Sequence, residues 1–73
     1  MKQQNLLPIN PDGIPIAVHW HSMVIGSSVF IPAINMARLI KQMKKEAKRR
    51  DIHLVYTERI ESKKLGVRFW RVL

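Results

Sequence analysis

Cysteine is absent from the 73 residues, which excludes disulfides, thiolate nucleophiles and cysteine-based zinc sites. An intracellular place of action fits that absence. Acid is also scarce, with five Asp/Glu against thirteen Lys/Arg and a net charge of +8. So large an excess opposes compaction by self-repulsion and points to an anionic partner: nucleic acid first, then an acidic protein surface or an anionic membrane. No apolar run approaches the length of a membrane span, and Met1 to Pro8 lacks the apolar stretch of a signal peptide. The cytoplasm is the expected compartment.

Catalytic signatures are missing too. Ser27 and Ser28 follow Gly26, but there is neither a GxxxxGK[ST] phosphate loop nor a G-x-S-x-G elbow. Asp51, Glu58 and Glu61 have no evident cleft in which to act as an acid–base pair. His19-x-His21, with His53 as a conceivable third ligand, is the only metal-like spacing, and the nearest carboxylate is Asp12. The expectation is therefore a non-enzyme without metal or cofactor.

What is present is enough apolar residue, 47% of the chain, to build one small core. A chain this short buries only about 60% of its unfolded surface, so two domains are excluded and homodimer formation would be a natural supplement. Residues 1–13, with Pro8, Asn10, Pro11, Asp12 and Gly13, favour turns and suggest a flexible arm before a single basic domain over 14–73. Ile14 to Trp20 reads as a weak strand, because Pro15 cannot donate to a ladder. Val29-Phe30-Ile31 reads as a short buried strand ended by Pro32.

From Met36 the period changes. Met36, Leu39, Ile40, Met43 and Ala47 lie on one stripe of a helix predicted over about residues 35–50, with Asn35 as its N-cap. Arg38, Lys41, Lys45 and Arg49 fall opposite that stripe, with Lys44 and Lys48 on the flank. Lys48, Arg49 and Arg50 also favour the helix C-terminus electrostatically.

Ile52 to Ile60 alternates, placing Ile52, Leu54, Tyr56 and Ile60 on one side and His53, Val55, Thr57 and Arg59 on the other, while Glu58 interrupts the apolar side and suggests a bulge or a frayed end. A polar connection over residues 61–66 then leads into Val67 to Val72, completing a hairpin. The predicted class is α+β: an antiparallel sheet of three to four strands packed on one amphipathic helix.

The succession Trp20-x-x-Met23-x-x-Gly26-x-Ser28, Phe30-x-Pro32, a helix, and Gly66-Val67-Arg68-x-Trp70-Arg71-Val72 resembles a group of small, poorly characterised proteins of tailed bacteriophages. The resemblance covers about residues 18–73 and implies a β-α-β-β domain acting inside an infected cell. It implies no activity. Ser27 departs from the group, which often carries an acid there, and the segment through Pro15 has no counterpart in it.

Two charge sets are candidate contacts for phosphates. One is the helix row Arg38, Lys41, Lys44, Lys45, Lys48 and Arg49, where a rigid spacing of cations can neutralise several phosphates at once. The other is the hairpin set Arg59, Lys63, Lys64, Arg68 and Arg71, where an exposed Trp70 beside Arg68 would offer a base-stacking surface. DNA is the favoured partner. The same cations would serve a small inhibitor docking on an acidic surface of a host or defence protein. A membrane is not expected, because the helix stripe lacks bulky aromatic anchors and is needed to cover the sheet.

Overall fold

In a computed structural model, residues 6–73 are described. Two elements come first and pair with each other: β1 (Leu6–Ile9) and β2 (Ile16–His19) form an antiparallel ribbon with Ile9 opposite Ile16. A single 3-10 turn (Trp20–Ser22) leads to β3 (Ser28–Pro32), then to the helix α1 (Met36–Arg49), and finally to the hairpin β4 (Leu54–Glu61) and β5 (Lys64–Arg71). The second sheet is antiparallel with the order β3-β5-β4, so its central strand is β5. The α+β class expected from the sequence is the class observed.

The helix forms where the stripe predicts it. Leu39 and Met43 are fully buried and Ala47 nearly so, while Met36 and Ile40 pack at the margin. They meet Val67 and Phe69 of β5, both inaccessible to solvent, and Ile31 of β3. Burying each large aliphatic or aromatic side chain contributes about 1.5–3 kcal/mol, which is why this face fixes how α1 sits. Asn35 caps the helix, its side chain accepting from Arg38 N at 3.1 Å. The C-terminus closes as a Schellman motif: Ile52 N donates to Ala47 O, Asp51 N donates to Lys48 O, and Asp51 takes the left-handed conformation at φ 56°. Buried Ile52 supplies the apolar contact that accompanies this motif.

The flexible arm expected over residues 1–13 is corrected from Leu6 onward; its first five residues lie outside the described ones. Ile9 is 4% exposed and joins the core, and Pro11 is fully buried. Asn10 and Gln42 exchange two hydrogen bonds at 2.9 and 3.0 Å. Pro8 and the turn residues concealed this strand, because β1 lies at a sheet edge, where proline is tolerated.

Asp12 ties the segment down further. Its carboxylate accepts from Ile34 N at 2.9 Å and Asn35 N at 2.8 Å. The first turn of α1 has no acid of its own, so Asp12 brings a negative charge to the positive end of the helix from a distant part of the chain. The Asn35 and Ile34 amides hold its pKa below the ordinary carboxylate value. A depressed pKa means that the folded state favours the anion, so this stabilisation is complete above the unfolded carboxylate pKa and is lost as pH falls through the lower folded value. The difference in urea midpoint between the wild type and Asp12→Asn is therefore expected to be largest at neutral pH and to shrink below about pH 4. A difference that stays constant from neutral pH to pH 2 would contradict the assignment.

Two details of the hairpin depart from expectation. The polar connection over 61–66 is only Ser62-Lys63, a two-residue turn with both residues at positive φ, 50° and 66°. This is the backbone of a type I′ turn, whose twist matches that of the strands, formed without the usual Asn-Gly. Gly66 is consequently mid-strand, where a Cβ would run into β3. The bulge expected at Glu58 is absent, since the register runs unbroken from Leu54 opposite Arg71 to Glu61 opposite Lys64. α1 does not cover that part of β4, so a charged side chain on the helix-facing side remains in water.

Candidate nucleic-acid interface

Arg38, Lys41, Lys44, Lys45, Lys48 and Arg49 are all exposed on α1, on the surface away from the buried stripe. At 1.5 Å rise per residue the row from Arg38 to Arg49 is about 16 Å long, enough to face several phosphates. Among the described residues, Arg38, Lys41, Lys44, Lys45 and Lys48 have no acid within salt-bridge distance. Arg49 approaches Glu46 only loosely, at 3.9 Å. Lys44 leans over the Tyr56 ring of β4, 5.8 Å from its centroid, and so sits at the side of the row nearest the hairpin. Arg38, Lys41 and Lys45 border a shallow depression floored by Ala37 and Gln42.

Glu46, the only acid on α1, is committed elsewhere. It accepts from Arg50 Nη1 at 2.9 Å, and Arg50 also reaches the Glu46 carbonyl oxygen at 2.8 Å. The Arg50 guanidinium then lies 4.7 Å from the Trp20 ring centroid, joining the helix end to the 3-10 turn. This cation has a structural task. It is spent on packing, and its neighbours are not.

The hairpin cations separate from the helix row. Residues that alternate with Val67 and Phe69 lie on the opposite face of the sheet, so Arg68 and Trp70 of β5, with Thr57 and Arg59 of β4 and Phe30 of β3, share the face away from α1. Arg68 is engaged on three sides: Nε and Nη2 donate to the Glu61 carboxylate at 2.7 Å each, and Nη1 donates to Ser28 Oγ at 2.7 Å. Its guanidinium lies 5.9 Å from the Phe30 ring. The Arg68 hydrogen bond, with the charges of Arg68 and Arg59, holds the Glu61 pKa below its ordinary value, and the Arg68 pKa is raised in return. Arg59 approaches the same carboxylate at 3.4 Å. Arg71 donates to the carbonyl oxygens of Met23 and Leu73 at 2.9 and 2.8 Å, pinning the loop before β3.

Arg68 and Arg71 are thus held by internal ties, and only Lys63 and Lys64, exposed at the hairpin tip, are unpaired among the described hairpin cations. The register explains the capture of Arg68. A two-residue turn sets Glu61 opposite Lys64, on the same sheet face as Arg68 and two same-face steps from it along β5, with Gly66 between them presenting no side chain in the way. Trp70 is half-buried, diagonal to Phe30 across the sheet. The histidines do not assemble: His19 ends β2, His21 lies in the 3-10 turn, His53 precedes β4, and no group of three metal-capable side chains occurs among the described residues. Sequence reasoning missed Asp12 as the clamp of α1, because nothing local signals a partner 23 residues away.

No described helix is long and apolar enough to cross a membrane. No family model matches the chain, and neither a curated protein nor a solved structure matches it.

Proposed function

We propose that this protein binds nucleic acid, most favourably duplex DNA, by laying the cation row of α1 along the phosphate backbone. The observation that carries this reading is the row itself: Arg38, Lys41, Lys44, Lys45 and Lys48 project from one rigid helix without counter-ions, while the acid beside them is neutralised by Arg50. Lys63 and Lys64 at the hairpin tip are a secondary contact. Binding is governed by phosphates and shows little base preference, because lysines dominate the row and act as point charges rather than as planar readers of base edges. Under the resemblance to phage proteins, the DNA is that of an infected cell and the compartment is the host cytoplasm.

Fluorescence anisotropy with a labelled duplex tests this. About five phosphate contacts give a slope of log K against log salt near −4.5, and hence a loss of about 500-fold in affinity between 50 and 200 mM salt. No binding at about 50 mM salt, where phosphate-dominated affinity is strong, would sink the proposal. A stoichiometric protein captured from nuclease-treated lysate, with no DNA affinity, would instead favour the acidic protein surface as the partner.

A further inference from the structure

The outer edge of β4 is uncovered. Ala33 N donates to Leu65 O and Arg71 N to Ser27 O, so the odd-numbered residues of β5 bond to β3 and its even-numbered residues bond to β4. Glu61, Arg59, Thr57 and Val55 are the partners of Lys64, Gly66, Arg68 and Trp70. The backbone amides and carbonyls of Leu54, Tyr56, Glu58 and Ile60 therefore point away from the sheet. The other edge of the same sheet is blunted: β3 ends in Pro32, which has no N–H, and the β1–β2 ribbon flanks it across an apolar groove. β4 has neither proline, lysine nor bulge, three of the features that protect an edge, and the charges it carries are Glu58, Arg59 and Glu61. Val55, Tyr56 and Ile60 are 50%, 40% and 71% exposed along it.

We infer that this edge pairs with the same edge of a second copy, antiparallel about a two-fold axis at Thr57, making one six-stranded sheet with both helices on the same side. A two-fold perpendicular to the sheet keeps each side chain on its face, so opposed residue numbers must have an even sum. Centring on Glu58 opposes two carboxylates, and centring on Arg59 opposes two guanidinia. Centring on Tyr56 sets Leu54 against Glu58. Centring on Thr57 opposes Thr57 to itself, Leu54 to Ile60, Val55 to Arg59 and Tyr56 to Glu58, and it lets every outward backbone group from Leu54 to Ile60 find a partner. It also supplies charge complementarity. Glu58 has no ion pair among the described residues, and in this register it lies beside Tyr56 of the second copy, over which Lys44 leans. The inference stands apart from nucleic-acid binding, which the isolated helix row supports equally well.

The absence of native cysteine makes the test direct. In the Thr57-centred pair the two Thr57 residues form a non-hydrogen-bonded pair with Cα atoms about 4.5 Å apart, within the range a disulfide spans. Two Val55 residues would lie about 14 Å apart, four residues along the ladder, and so would two Arg59 residues. Under mild oxidation T57C is expected to run mainly as a disulfide dimer on a non-reducing gel, while V55C and R59C stay monomeric and their equimolar mixture cross-links. Each variant is checked for wild-type circular dichroism first. Failure of T57C to cross-link while folded, or equal cross-linking of all three single variants, would overturn the register. A wild-type protein that light scattering finds monomeric throughout the micromolar range would overturn the dimer. The DNA titration reads separately, so either conclusion can fail alone.

Discussion

Gly66→Ala is expected to lower the melting temperature by roughly 15 °C, more than the same change at Gly13. A Cβ at Gly66 would strike the Ile31 carbonyl oxygen and lie 2.7 Å from Pro32 Cα and 2.8 Å from Phe30 Cζ. Two of these obstacles are backbone atoms of the neighbouring strand, which no rotamer change can move aside. Overpacking at a rigid site costs about 3 kcal/mol, and each kcal/mol shifts the midpoint of so small a domain by about 4–8 °C. Gly13 provides the comparison. It has φ +85° and nothing within 4 Å of a built Cβ, so Gly13→Ala meets backbone strain alone, about 1–2 kcal/mol. Thermal melts followed by circular dichroism should rank Gly66→Ala well below Gly13→Ala. Equal midpoints would mean that β3 and β5 do not approach as closely as described.

The second large effect is on binding. Lys41→Glu combined with Lys45→Glu is expected to weaken duplex DNA binding at about 50 mM salt by at least 100-fold and to reduce the salt slope by about two. Both side chains are exposed and without acidic partners among the described residues, so stability should change by no more than about 0.5 kcal/mol per substitution. The matched control is Arg59→Glu, on the opposite sheet face. If the helix row is the interface, Arg59→Glu leaves the affinity within a few-fold of wild type. A comparable loss from Arg59→Glu would shift the interface to the open sheet face, where Trp70 and Phe30 lie.

Much of this architecture is local in origin and was therefore readable from the sequence. The helix stripe from Met36 to Ala47 is a periodic pattern that needs no knowledge of the rest of the chain, and Leu39, Met43 and Ala47 are buried as it requires. The alternation of Phe69 and Trp70 likewise sets one ring in the core and leaves the other half-buried. What escaped depends on distant neighbours. β1 is a strand only because β2 lies beside it, and Asp12 acquires its role only when α1 starts next to it. The cations divide the same way. The exposure of Lys41 and Lys45 follows from helical geometry, whereas the capture of Arg68 by Glu61 follows from the two-residue turn. That turn was hidden because Ser62 and Lys63 adopt a conformation usually left to Asn and Gly.

The central position of β5 has a consequence for how the chain is made. Of the strands described, β5 is the last to be synthesised, yet it supplies Val67 and Phe69 to the core and is the only strand that touches both β3 and β4. At 5–20 residues per second, α1 leaves the ribosome seconds before the surface that covers its Leu39 and Met43 exists. During that interval the nascent chain carries a bare apolar helix face backed by a row of lysines. Folding of the three-stranded sheet must therefore wait until β5 has been made, and any chain that stops short of β5 lacks the layer that holds the helix.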